Sequence, residues 1–271
     1  MRRFEMDRTE LLDVLCDVAR PIALEHYRTP LQVENKWVSG FDPVTIADRE
    51  IEDRMRGILE EHVPEDAILG EEFGFKPGTT GYQWIIDPID GTRSYITGRP
   101  TWGILIALQH HGRSIAGVMD QPYIDERFIA RDGEATVNHQ GTVRGMRTRR
   151  CSSLEEAVVL LPRFEYMPNV KRPVAEHLMR ICKLPRTIGD CYSYMLLATG
   201  GVDLIIETWD LEPYDIQPII PIVEAAGGII TTWDGEEVRA GGHIIAAGDP
   251  SLHQAALQLV RDLVEPGERS D

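Results

Sequence analysis

Apolar residues between Thr9 and Tyr27 recur at helical spacing, with Leu11, Leu12, Leu15, Ala19, Ile22 and Ala23 on one stripe. The spacing predicts a helix capped by Thr9 and kinked at Pro21, its stripe packed on a sheet. A second helix is predicted over residues 48–62, where Ile51, Met55, Ile58 and Leu59 share a face and Pro64 ends the run. The pattern then shortens. Residues 67–69, 84–86, 103–108 and 114–119 are brief apolar runs that read as strands, the last two as a hairpin. Turn signals at Arg131-Asp132-Gly133 and Asn138-His139-Gln140-Gly141 carry this meander to about residue 142. Strand-like and helix-like runs alternate afterwards: strands at 157–161, 202–207, 228–232 and 243–247, helices at 173–182, 191–198, 216–226 and 251–264. The expected fold is α/β, with an antiparallel sheet in the first half (residues 1–147) and a mixed, partly parallel sheet in the second (148–271).

Charge narrows the partners. The chain of 271 residues carries 28 Lys plus Arg against 44 Asp plus Glu, a formal net charge of −16 that repels nucleic-acid phosphates and anionic membrane surfaces. Hydrophobic residues make up 42% and charged residues 27%, enough apolar surface to fold around a core. Cys16, Cys151, Cys182 and Cys191 fall in no Cys-x-x-Cys pair and are expected free and mostly buried. The N-terminal residues lack the apolar core of a signal peptide, and no apolar run approaches the roughly 18–20 residues of a membrane span. A cytoplasmic protein is the expectation.

Acidic residues at the ends of apolar runs carry the chemistry. In Trp84-Ile85-Ile86-Asp87-Pro88-Ile89-Asp90-Gly91-Thr92 a strand runs into two acids three residues apart. Pro88 stiffens the chain and disfavours a helical Asp87, so both carboxylates can face one locus, while Gly91 lets backbone approach a ligand. Hard oxygens of this kind suit Mg²⁺ or Mn²⁺ better than zinc, although an isolated Asp-x-x-Asp is more often a surface turn. Leu69-Gly70-Glu71-Glu72 and Asp42-Pro43-Val44-Thr45-Ile46-Ala47-Asp48 end or begin further elements with acids; each alone also reads as a solvated face. Asp215 falls where a helix would start, and a cap there is as good a reading as a metal ligand. His110 and His111 are expected to face opposite sides of a strand and hold no metal. An aspartyl-nucleophile mechanism needs Asp-x-Asp, which Asp87-Pro-Ile-Asp90 is not.

The order Asp42-Pro-Val-Thr-x-Ala-Asp48, Gly70-Glu-Glu72, Asp87-Pro-Ile-Asp-Gly-Thr92, then a late Asp before Glu224-Ala-Ala-Gly-Gly228, resembles the inositol monophosphatase superfamily over nearly the whole chain. The resemblance implies an αβαβα layered sandwich, a homodimer, and hydrolysis of a small phosphate monoester with two or three Mg²⁺ ions per site, Mn²⁺ being able to substitute. It implies metal ligands Glu71, Asp87, Asp90, Asp215 and the carbonyl of Ile89. Thr92 and Asp48, with Glu71, would orient the attacking water; the backbone of Gly91 and Thr92 would receive phosphate; Lys36 would lie near the site. The family's late ligand stands twelve residues before the first glycine of the pair, which from Gly227 selects Asp215 over Asp210. Gly189-Asp-Cys-Tyr-Ser-Tyr194 and Leu211-Glu-Pro-Tyr-Asp215 are similar to the histidinol-phosphate phosphatases of the superfamily, which implies Arg186, Asp190 and Glu207 at the substrate end. Glu207 stands eight residues before Asp215, one more than that subgroup leads one to expect. Inositol monophosphate is the alternative substrate, and a non-catalytic acidic protein of the same fold the competing class.

Overall fold

The computed structural model describes residues 7–30, 33–35, 43–161, 167, 169–187, 189–208 and 211–265; Lys36, Asp42, Trp209 and Asp210 lie outside them. The first helix, α1 (Arg8–His26), is capped by Asp7 rather than Thr9. Asp7 accepts both the N–H of Thr9 at 2.9 Å and its hydroxyl at 3.2 Å, so the carboxylate takes the position expected of the hydroxyl. Two short paired strands, β1 (Val33–Asn35) and β2 (Pro43–Thr45), lead into α2 (Ile46–His62). This helix starts before Asp48 because Thr45 and Asp48 form a reciprocal capping box: Asp48 Oδ2 accepts the Thr45 N–H at 2.9 Å and its hydroxyl at 2.6 Å.

The meander is an eight-stranded sheet. Its strands are β3 (Ala67–Gly70), β4 (Gly74–Lys76), β5 (Tyr82–Asp90), β6 (Gly103–His110), β7 (Arg113–Gln121), β8 (Glu126–Arg131), β9 (Glu134–His139) and β10 (Thr142–Gly145), in the order β10-β9-β8-β7-β6-β5-β3-β4. The sheet is not wholly antiparallel as expected: β3 and β5 run parallel, with Gly70 opposite Ile86. That pairing matters, because two parallel strands deliver their C-terminal ends to the same edge. A five-residue helix, α3 (Thr92–Ile96), follows β5 directly.

The second sheet is mixed. It comprises β11 (Val158–Leu161), β12 (Leu184–Thr187), β13 (Leu204–Ile206), β14 (Ile229–Thr232) and β15 (Ile244–Ala247), ordered β12-β11-β13-β15-β14. Strand β11 is parallel to β12 and β13, and β15 is antiparallel to β13 and β14. The helices are α4 (Arg172–Ile181), α5 (Tyr192–Ala198), α6 (Pro213–Ile216), α7 (Ile219–Ala225) and α8 (Pro250–Leu263). The single helix expected over 216–226 is two, starting earlier and joined through Gln217 and Pro218. Pro218 has no N–H to continue the first helix, and buried Gln217 pins the junction by accepting from Gln109 at 2.7 Å and Ser114 at 2.8 Å.

Three apolar clusters define five layers. Leu11, Leu15, Ile51 and Met55 of α1 and α2 pack on Trp84, Ile104 and Ile106 of the larger sheet. Leu105 and Met119 point to its other face and meet Met195, Ile222, Ile230 and Ala246. Val174, Leu178, Leu252 and Leu257 of α4 and α8 cover Val159 and Leu161 on the far side of the second sheet. The order is helix, sheet, helix, sheet, helix, as the resemblance implies. The four cysteines are free, and Cys151 alone among them is only partly buried. No helix among the described residues is long and apolar enough to cross a membrane.

Candidate active site

The parallel ends of β3 and β5 begin the site. Pairing of β5 with β6 shifts between Asp87 and Asp90, and the Ile89 N–H turns back onto Asp87 Oδ1 at 3.0 Å. Glu71 lies one residue past β3; its N–H bonds to the Ile86 carbonyl at 3.1 Å, and its carboxyl is a close enough neighbour of Asp87 to raise that acid further. Asp215 arrives from the other half of the chain on α6, where one of its oxygens accepts the Glu212 N–H at 2.8 Å. Carboxylate oxygens of Asp87, Asp90 and Asp215 lie within 4.8 Å of one another. Cap and cluster member were alternatives for Asp215 in the sequence; in the structure it is both.

Burial and mutual repulsion dominate the electrostatics. Asp87 and Asp215 are held well above the usual carboxylate range, first by desolvation and then by their acidic neighbours. Asp90 is pushed up to about 7 by burial and by Asp190, against the opposing pull of the Cys191 N–H, 2.7 Å from its Oδ2. Asp48 also rises to about 7, through burial and its neighbours Glu71 and Glu72, although Thr45 donates to it twice. Acids so placed are poor neighbours for one another and good ligands for a hard cation. The donor set contains oxygen alone, without His or Cys.

Beside this cluster the chain enters α3 through Gly91 at φ 79°, and a side chain there would bring its Cβ within 2.8 Å of the Asp190 side chain. Thr92 Oγ1 donates to the Ile89 carbonyl at 3.2 Å. Asp190 itself has φ 51°, and its Oδ2 accepts hydroxyls from Thr101 at 2.7 Å and Ser94 at 2.5 Å. Glu207 is buried, with its Oε1 accepting the Thr208 N–H at 3.0 Å. Arg186 is not gathered with them: it is exposed on edge strand β12 and donates to the neighbouring Pro185 carbonyl at 3.0 Å. His110 and His111 do not face opposite ways as expected, because His111 sits in the turn at φ 50° and its ring lies 4.1 Å from that of His110. His110 stacks on Tyr82 at 4.2 Å.

Two residues at the site were not anticipated. The Tyr194 hydroxyl is buried without a hydrogen-bond partner among the described residues and has Glu207, Asp90 and Asp215 as its acidic neighbours. Its place in the apolar run of α5 makes it read as plain core. Glu52 is fully buried behind Glu71; in sequence it is one more acid on a charged helix, paired with Arg56 four residues on.

Five alternating layers with carboxylates gathered at the ends of β3 and β5 and in the first turn of α6 define a class: layered α/β proteins with an acidic cluster at the sheet ends. The chain belongs to the inositol monophosphatase family, whose model matches residues 7–265. Bifunctional phosphatase IMPL2, chloroplastic, of Arabidopsis thaliana is 36% identical over 266 residues, covering 94% of this chain and 75% of its own length. Histidinol-phosphatase of Chlorobaculum parvum is 35% identical over 226 residues, 82% of this chain and 85% of the relative. The solved inositol monophosphatase from Zymomonas mobilis superposes with a TM-score of 0.82 at 35% identity, covering 96% of this chain and 99% of that one. The protein is a phosphoric monoester hydrolase.

Proposed function

We propose that this hydrolase depends on Mg²⁺ and acts on L-histidinol phosphate, releasing histidinol in histidine biosynthesis. The group of buried Asp87 with half-buried Asp90 and Asp215, its oxygens within 4.8 Å, carries the metal dependence. Three carboxyls at that range suppress one another's ionisation, and a divalent cation reverses this by favouring the charged form of all three. Glu71 and the Ile89 carbonyl complete the ligands for two or three ions; the carbonyl has a second lone pair beside the one Thr92 uses. Mn²⁺ is the expected substitute. When bound, such cations neutralise phosphoryl charge and acidify water.

The chain's own residues supply direction and proton handling. Asp48 Oδ2 is occupied by Thr45, which leaves Oδ1 to accept a proton from the attacking water. Thr92 Oγ1, whose own hydrogen goes to the Ile89 carbonyl, accepts the water's second hydrogen, with Glu71 helping to place the water. The N–H groups of Gly91 and Thr92 open α3 towards phosphate oxygens. Asp190 and Glu207 line the leaving-group side, where the ammonium and imidazole of histidinol would pair with them. Lys36 near the metals belongs to the same reading, as do a homodimer and a cytoplasmic location; Arg186, exposed on β12, does not join the substrate end within this chain.

Inositol-1-phosphate is the second reading, favoured by the likeness to the Zymomonas mobilis structure at 35% identity. A steady-state panel of phosphate esters separates the two. Histidinol phosphate is expected to show the higher kcat/KM, and phosphate release should vanish after chelation and return with Mg²⁺. The reverse ranking transfers the protein to the inositol group.

A further inference from the structure

We propose that Glu52 is a positioning residue for the acidic cluster: its carboxylate clamps the turn at residues 70–73, aims Glu71 at Asp87, and thereby sets the affinity for a divalent cation. The inference rests on reading that cluster as a cation site.

Glu52 is fully buried on α2, four residues after Asp48 and so on the same helix face. Its Oε2 accepts the Glu72 N–H at 2.8 Å and its Oε1 accepts the Phe73 N–H at 3.2 Å. Arg56 Nε donates to Oε1 at 2.7 Å, and the other arm of that guanidinium bonds to the Gly74 carbonyl, so carboxylate and arginine hold the turn from both ends. Gly70 leaves the space the carboxylate fills; a Cβ at that position would stand 1.9 Å from Glu52 Oε1.

Both peptide groups that flank Glu71 are therefore fixed. The one before it is held through the Glu71 N–H on the Ile86 carbonyl, the one after it through the Glu72 N–H on Glu52. With its backbone pinned on either side, the Glu71 carboxyl is kept beside Asp87. An ion pair buried to this degree is weak support for stability, since an apolar pair of similar volume commonly does as well. What an apolar pair cannot supply is an acceptor for two successive N–H groups. The same helix thus carries Asp48 and the fixture for Glu71 one turn apart, coupling the base to the ligand.

Calorimetric titration of Mg²⁺ and Mn²⁺ into the metal-free full-length protein tests this. Glu52→Gln keeps the volume but offers a single acceptor oxygen to three donors. Loss of a partner that orients a metal ligand typically weakens the metal by 10–100-fold, so the dissociation constant should rise about tenfold or more. KM for the phosphate ester at saturating metal should stay at the wild-type value, and excess metal should restore kcat. Leu59→Ala, a core truncation in the same helix, should lower Tm while leaving the metal constant unmoved. Gly70→Ala displaces the Glu52 carboxylate without altering either acid, should reproduce the shift, and serves when Glu52→Gln fails to fold. An unchanged metal constant in the folded variants, with a Tm loss like that of Leu59→Ala, overturns the clamp and leaves Glu52 a packing feature. A wild-type protein that binds neither ion overturns the cation reading and the clamp together.

Discussion

Single side chains divide by whether their role is written locally. Asp87, Pro88, Ile89, Asp90, Gly91 and Thr92 follow one another, and the strand leading into two acids and a turn could be read directly. The strand nevertheless runs on through Asp90 and carries a register shift that the local sequence does not show. The choice between Asp210 and Asp215 rested on spacing, and Asp215 stands in the cluster. Asp215→Asn is expected to abolish turnover, because on the proposed cation reading a neutral amide removes one of the cluster's charges, whereas Asp210→Asn should be mild. Equal losses measured by steady-state phosphate release would contradict the assignment. Glu52 and Tyr194 were not legible. Their significance lies in what the fold sets against them, two backbone N–H groups from another turn in one case and three acids from other elements in the other. Local sequence offered only a helical ion pair and an apolar stripe.

Elements were legible where hydrophobic period was sustained and obscure where tertiary contacts overrode it. Helices α1, α2, α4 and α8 carry long apolar faces and fall within one or two residues of the spans expected. Strand β12 escaped notice because Leu184-Pro185-Arg186-Thr187 has neither alternation nor a full set of N–H groups; it is tolerated at the edge, where β11 is its one neighbour. The break between α6 and α7 also depends on long-range bonds, from Gln109 and Ser114 to Gln217. The break bears on the site: α6 is a single turn whose third residue, Asp215, joins Asp87 and Asp90 from the end of β5. The parallel pairing of β3 with β5 is likewise invisible in the runs themselves, yet it brings Glu71 beside Asp87.

Across the whole molecule the site is where the two halves of the chain meet. Asp90 accepts from the Cys191 N–H, and Asp190 accepts from Ser94 and Thr101, so the second half closes directly over the loop that ends β5. Concentrating acids at this junction makes the metal-free protein sensitive to pH. Asp48 and Asp90 titrate at about 7 in the fold and at roughly 3.9 in an unfolded chain. Between those values the folded state retains protons that the unfolded state has released, so stability falls as pH rises. Their contribution is complete below the unfolded value and lost on passing about 7. Thermal melts of chelated protein should therefore show Tm declining from about pH 5 to pH 8, and saturating Mg²⁺ should remove most of the decline by binding the ionised acids. A flat profile without metal would contradict the burial of these groups. The cation cage itself is tested most directly by anomalous diffraction from crystals soaked in Mn²⁺. A peak enclosed by the carboxylates of Asp87, Asp90 and Asp215 is the predicted result; no peak there, with the three side chains turned apart, would contradict it.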